Sequence, residues 1–412
     1  MQEQKTLNKQ ADISRYLPLV ICLFTTVVGV AVRLPFFNFI SDDGYDYLIP
    51  WYNEILSNGG LKGIGTTVGN YNLAYQFLIA VFTLFPIEPI YAYKLLSIIF
   101  DLTLALSCGY LVYTISSKNK DLRSAIAYTA IILSPVVIMD SAVWAQCDSI
   151  YITFAVLSVA FALKERYPLM CICLGMALAF KLQILFLFPF IGFLYMLKFK
   201  TSERKFHLYY LLLIPLMLFV SAIPHVIAGG SFINVITFYT AQTDESYLLY
   251  ENYPGFWATF LNGYVFSLGD IAGFYKIQIA LFTFAVLGFS GVYLCRKKSL
   301  TSKEDLLRLC FILTFITIFF LPCMHDRYAY FYETFALCYC FINKKTIPLY
   351  LMLRAVSVFT YLYYLIGLDI LSLSMLGIIT FALLITYFLV INYEINGEKP
   401  QVPQVLKRYF IK

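Results

Sequence analysis

Apolar runs approaching the length of a membrane span recur along the whole chain, separated by short polar segments that hold most of its basic residues. They fall near 16–35, 71–86, 90–115, 122–139, 149–163, 168–197, 207–224, 271–295, 306–322, 330–342, 347–366 and 371–393. A spanning helix needs about 20 apolar residues. With 60% hydrophobic residues, 13% charged and a mean hydropathy of +0.75, the chain carries more apolar surface than a soluble core could hide. Lipid must solvate much of it, and only helices or closed barrels satisfy their backbone there. The expected fold class is an all-α polytopic membrane protein. Many of the 34 tyrosines sit at the ends of apolar runs, where an amphipathic ring suits the lipid headgroups.

Basic clusters set the expected orientation. Lys118/Lys120/Arg123, Lys164/Arg166, Lys198/Lys200/Arg204/Lys205, Arg296/Lys297/Lys298/Lys303/Arg308 and Lys344/Lys345 read as cytoplasmic. So do the tails, with Lys5, Lys9 and Arg15 at one end and Lys399, Lys407, Arg408 and Lys412 at the other. An even number of crossings must separate neighbouring clusters. Run 71–86, closed by Pro86, is therefore expected not to span but to lie in a long first extracytoplasmic loop, 36–89, carrying juxtamembrane helices. Run 168–197, interrupted by Lys181 and Gln183, is expected to be two short helices, 168–180 and 184–197, meeting at the outer side. The result is a bundle of about twelve membrane helices in one domain, 1–412, with both ends cytoplasmic. A second large extracytoplasmic loop spans 225–270, and short external turns fall at 140–148, 181–183, 323–329 and 367–370. No cleaved signal peptide is expected, because Met1–Arg15 is polar and the first run lacks a small-residue exit. The net charge of +6 is scattered through short loops, which argues against nucleic acid. The ten cysteines read as small core residues. Only Cys147 and Cys323 fall in loops placed outside, where the two could pair.

Charges left over after this assignment are costly near lipid and mark candidate sites. They are Arg33, Lys62, Lys94, Lys181, Lys276, Arg327 and Arg354. The acids Asp42, Asp43, Asp46, Asp140, Asp148 and Asp326 gather at the same expected face. In Ser41–Trp51, Asp42 or Asp43 could act as a general base toward a hydroxyl, or could cap the helix that follows. Trp144, Gln146 and Asp148 form a polar turn that also reads as an interfacial tryptophan and a helix cap. Lys181 and Gln183 could meet a phosphate, or Lys181 could snorkel to the interface. The turn Met324-His325-Asp326-Arg327-Tyr328 packs His and Arg against one acid, a density that a plain turn does not need. Arg354 should satisfy a buried partner or snorkel. The loop 225–270, with Gln242, Asp244, Glu245, Glu251, Asn252, Tyr253 and Trp257, has the aromatic and amide content of a carbohydrate-contacting surface.

Taken in order, these stretches resemble the Gpi18-like mannosyltransferases, a bacterial branch of the GT-C superfamily. Asp43 followed by Tyr47-Leu48-Ile49-Pro50-Trp51 is similar to that family's first-loop motif, an Asp before F-L-x-P-W. Trp144-Ala145-Gln146-Cys147-Asp148 resembles its W-G-Q-C-D, Phe180-Lys181-Leu182-Gln183 its F-K-L-Q, and Met324-His325-Asp326-Arg327-Tyr328 its M-H-E-R-Y. The chain departs from the pattern at Gly44, where Tyr is common, at Ala145 for Gly, at Asp326 for Glu, and in the extra carboxylate of Asp42. Alignment on Pro50-Trp51 favours Asp43 over Asp42 as the base.

The resemblance implies a GT-C-like bundle in the cell membrane, working at the extracytoplasmic face. It implies a polyprenyl-phosphate sugar donor, a glycan or lipid-linked acceptor, and transfer with inversion of a hexose, mannose-like by family. It assigns Asp43 as base, Lys181, His325 and Arg327 to the donor phosphate, and Trp144, Gln146, Asp148, Gln183, Asp326 and Tyr328 to sugar or acceptor. No cofactor is demanded; the external acids permit a divalent metal without a ligand spacing that requires one. The competing readings are a lipid-linked sugar transporter or flippase, which would place such charges nearer the midplane of repeated halves, and a polysaccharide polymerase or ligase.

Overall fold

A computed structural model describes residues 2–198, 205–244, 250–260, 272–296, 300 and 302–397. The chain forms α1 (Gln2–Arg33), α2 (Ile49–Ser57), α3 (Leu73–Phe82), α4 (Pro89–Ile115), α5 (Lys120–Ile132), α6 (Pro135–Ile138), α7 (Asp148–Leu163), α8 (Tyr167–Phe180) and α9 (Phe188–Lys198). These are followed by α10 (Leu213–Ser221), α11 (Ile223–Ile227), α12 (Ile233–Asp244), α13 (Phe256–Phe260), α14 (Ala272–Cys295), α15 (Lys303–Phe320), α16 (Ala329–Cys340), α17 (Ile347–Ile366) and α18 (Leu373–Asn396). Among the described residues no strand occurs, only two isolated bridges from Glu251 and Asn252 to His325. The protein is an all-α membrane protein.

Five helical segments are long and apolar enough to cross a bilayer: Tyr16–Phe36, Pro89–Ile115, Lys276–Cys295, Lys344–Ile366 and Leu373–Asn396. A sixth is the bent pair Lys120–Ile132 and Pro135–Val143, turned by 51°. The expected count of about twelve is therefore not met among the described residues. The reason is that several apolar runs build helices too short to span: α7 fills run 149–163 and α16 nearly all of 330–342, while run 168–197 breaks at Lys181. Asp148–Leu163, Tyr167–Phe180, Leu182–Lys198 and Leu208–Ser221 are each shorter than 18 residues, and α16 has only 12. At about 1.5 Å per residue, such helices fall short of a bilayer core about 30 Å thick. Pro135 makes one break, since it has no N–H to donate and keeps Ser134 extended at ψ 126°.

Several local expectations hold. Run 71–86 yields only α3, of 10 residues, and the 36–89 segment carries the short helices α2 and α3. Run 168–197 breaks at Lys181, whose backbone is extended (φ −147°, ψ 139°). Its halves diverge, α8 packing on α7 and α10 and α9 on α15. The side chains of Lys5, Lys9, Arg15, Gln242 and Asp244, and all of Lys200, Arg204, Glu245, Lys297, Lys298, Lys399, Lys407, Arg408 and Lys412, lie outside the described part of the chain. All ten cysteines are free, Cys147 and Cys323 included.

Three of the charges left over from the cytoplasmic clusters, Arg33, Lys94 and Arg354, are buried and have partners. Arg33 donates to Asp101 Oδ2 at 2.8 and 3.1 Å and to the carbonyls of Gly29 and Ile132. Asp101 also accepts from Ser141 at 2.6 Å and from Ser149, at the head of α7, at 2.5 Å. Arg354 pairs with Glu333 at 2.9 Å. Lys94 caps the end of the first span, its ammonium 2.6 Å from the Phe36 carbonyl. Lys62 is exposed. Arg33→Met should lower stability by about 3–5 kcal/mol, because it strands the Asp101 carboxylate in the core. Adding Asp101→Leu should restore much of that loss. Unfolding in detergent checks this; a double variant as weak as the single would show that the two charges are uncoupled.

Candidate active site

The four polar stretches meet in one cavity of about 1220 Å³. Asp43 stands just before a π turn, Gly44–Leu48, with its side chain 21% exposed. Its Oδ2 accepts from Trp144 Nε1 at 2.8 Å and Gln146 Nε2 at 2.9 Å, and its Oδ1 accepts from Tyr364 OH at 2.7 Å. Arg327 Nη1 lies 3.8 Å from the same carboxylate. The second carboxylate, Asp148, opens α7 with no exposure. Lys181 Nζ donates to its Oδ1 at 2.8 Å, and Arg327 Nε sits 3.5 Å from its Oδ2. Arg327 also lies over the Trp144 ring, 5.3 Å from its centroid. Two acids and two cations thus alternate across the site.

The Trp144 side chain is fixed from behind. Tyr364 stacks on it at 4.3 Å and 23°, and Tyr361 meets it edge-on at 5.3 Å. These tyrosines are three apart on α17 and so share a helix face. The turn that aims Trp144 and Gln146 passes through Ala145 at φ +63°. This is the position where the resembled motif has Gly, the residue that enters the left-handed region without a Cβ penalty.

Burial and the cations Arg327 and Lys181 push the His325 imidazole down to about 3. The ring is therefore neutral near pH 7, so any contact it makes with a donor phosphate is a neutral hydrogen bond. Burial pushes the Asp326 carboxyl up to about 7, although Arg327 pulls the other way. Asp326 Oδ1 accepts the Arg327 backbone N–H at 2.8 Å. Burial also pushes the Cys147 thiol up to about 11, which keeps it protonated and unreactive.

Asp43, Trp144, Gln146, Lys181, Gln183, His325, Asp326, Arg327 and Tyr328 all line the cavity. Gln183 Nε2 donates to Tyr328 OH at 2.7 Å, so these two form one wall. Asp42 is exposed and outside the lining. Asp148 lies behind the wall and orients Lys181 and Arg327 rather than facing a ligand, which revises its expected sugar-pocket place. Of the 225–270 segment, Glu251 and Asn252 reach the cavity, tied to the 324–326 turn by Glu251 N–H to Met324 O at 2.9 Å and Asp326 N–H to Glu251 O at 3.1 Å. Tyr364 and Tyr71 were not singled out from sequence. The available signal for Tyr364 was the paired spacing of Tyr361 and Tyr364 at the end of an apolar run; Tyr71 reaches the site through Gln146 Oε1 at 2.9 Å. Among the described residues no group of three or more His, Cys, Asp or Glu forms a metal site.

A scan against protein-family models finds no match for the chain, and a search of curated proteins finds none either.

Two expectations follow from this geometry. Asp326 binds more protons folded than unfolded between about pH 4 and 7, so it lowers stability as pH rises through that window. His325 binds fewer between about pH 3 and 6.5, so its contribution rises with pH. Asp326→Asn should leave the rising slope and His325→Gln the falling one, in unfolding midpoints followed against pH; slopes unchanged by either substitution would contradict the assignment. Ala145→Gly should relieve left-handed strain and raise stability by up to about 1 kcal/mol. A lower midpoint for Ala145→Gly would show the turn to be unstrained.

Proposed function

We propose that the chain is an integral membrane glycosyltransferase of GT-C type, related to the mannosyltransferases its motifs resemble. It transfers a hexose, mannose-like, from a polyprenyl-phosphate donor to a hydroxyl of a glycan or lipid-linked acceptor, at the extracytoplasmic face of the cell membrane, with both chain ends cytoplasmic. The observation that carries the reading is the Asp43 carboxylate 3.8 Å from the Arg327 guanidinium inside one cavity. A base beside a phosphate-binding cation is what displacement at a sugar phosphate requires.

In this reaction an acceptor O–H gives its proton to Asp43 while its oxygen bonds to C1 of the donor sugar. The C1–O bond to phosphate breaks, and its electron pair leaves on the phosphate oxygen. Arg327 meets that developing charge. Its two ion pairs, at 3.5 and 3.8 Å, are longer than hydrogen bonds, which supports a group with donors to spare for an anion. Lys181, held on Asp148, contributes positive potential from the wall. The charge on C1 is oxocarbenium-like and is held between the two groups. The cavity volume of about 1220 Å³ exceeds the roughly 300–1,000 Å³ of a typical small-ligand site. Its apolar side, with Phe193, Phe284 and Leu287, suits the first isoprene units of the donor.

Asp43→Asn should lower transfer about 10²–10⁴-fold in protein that elutes and melts normally, the usual weight of a general base. Arg327→Ala should raise the donor KM about tenfold or more, the loss of a charge-assisted contact. Transfer unchanged in Asp43→Asn removes the base. Movement of lipid-linked sugar across vesicles without transfer to any acceptor would favour a flippase instead.

A further inference from the structure

The cavity lining divides between two groups of elements. Phe193 on α9 and Phe284 and Leu287 on α14 make an apolar side, whereas Tyr47, Trp51 and Tyr71 make an aromatic one next to Asp43. We infer that Tyr47, Trp51 and Tyr71 form the acceptor subsite and that its ligand is a carbohydrate chain, one ring of which stacks there and presents a hydroxyl to Asp43. The inference rests on the transferase reading and specifies the acceptor class within it.

Tyr47 and Trp51 are one helical turn apart, their rings 5.5 Å apart at 42°. Trp51 in turn meets Tyr71 edge-on at 5.4 Å. The row is held in place. Gly69, at φ +61°, lies so close beneath the indole that a Cβ there would come within 2.4 Å of Trp51 Cε2. The row is also wired to the carboxylate: Tyr71 OH donates to Gln146 Oε1 at 2.9 Å, and Gln146 Nε2 donates to Asp43 Oδ2 at 2.9 Å. Tyr45 shows the contrast with a lipid-interface belt. It is 61% exposed and outside the cavity, whereas Tyr47, 50% exposed, lines it.

A pyranose has the complementary surface. Its C–H face is weakly positive and matches the negative face of an aromatic ring, while its hydroxyl edge needs the phenol and amide groups that flank these rings. A prenyl or acyl chain offers no polar edge to the phenol and amide groups beside these rings.

The test uses the full chain in detergent and equilibrium binding of neutral linear oligosaccharides of hexoses and N-acetylhexosamines. A short prenyl alcohol, a Ser/Thr peptide and a short polyprenyl phosphate run in parallel. At least one oligosaccharide should bind saturably. Trp51→Ala should weaken it about tenfold, Trp51→Phe less, and Tyr45→Ala not at all. Tyr47→Ala, at a half-exposed position, carries the test if Trp51→Ala does not fold. Polyprenyl phosphate should bind every variant alike. The inference is overturned if no oligosaccharide binds, if Trp51→Ala and Tyr47→Ala bind as the parent does, or if the prenyl alcohol or the peptide takes the Trp51-dependent site. Trp51-dependent oligosaccharide binding without any polyprenyl phosphate binding would leave the subsite standing and remove the transferase reading. The reverse pattern would remove only the subsite.

Discussion

Asp148 has no solvent exposure, and a carboxylate so placed must be compensated or it destabilises the fold. Lys181 and Arg327 supply the compensation from two separate parts of the chain. Lys181 can reach it because α8 ends one residue earlier and the backbone turns extended. Arg327 can reach it because the 326–328 turn, tied to Glu251, delivers it just before α16. One buried acid thereby joins α7, the α8–α9 break and the α16 turn, and it sets where the Arg327 guanidinium stands in the cavity.

Asp43 is held by different means. Its oxygens are met by an indole, an amide and a phenol, all neutral, with Arg327 at longer range. The ring that donates to it is itself fixed by Tyr364 and Tyr361. The two carboxylates therefore differ in kind. Asp148 is sealed and neutralised, whereas Asp43 is oriented and open to the cavity. That contrast is the physical basis for giving Asp43 the reacting role and Asp148 a structural one in the proposed transfer.

Part of this was legible from residues alone. The break at Lys181 showed as a charge inside an apolar run, and the non-spanning 71–86 segment showed through the spacing of basic clusters. Arg354 was read as needing a buried partner or the interface, and Glu333 is that partner. The helix count was overestimated because runs as short as 149–163 and 330–342 were counted as crossings, although the helices they form, α7 and α16, are shorter than a bilayer core needs. The choice between Asp42 and Asp43 rested on a motif, and geometry separates them because neighbouring residues at a helix start point in different directions. Tyr364 was hidden because a tyrosine near a run's end looks the same whether it faces lipid or a carboxylate.

The sequence by itself determined the membrane class, because total apolar content is a sum that packing cannot change. It also determined which polar stretches were worth suspecting, because charge in an apolar chain is costly wherever it lands. Only the tertiary structure decided which of those charges meet, that His325 is neutral, that Asp148 faces inward and that an aromatic row flanks Asp43. Those properties depend on through-space distance and on desolvation, and both are set by how the helices pack rather than by the order of residues along them.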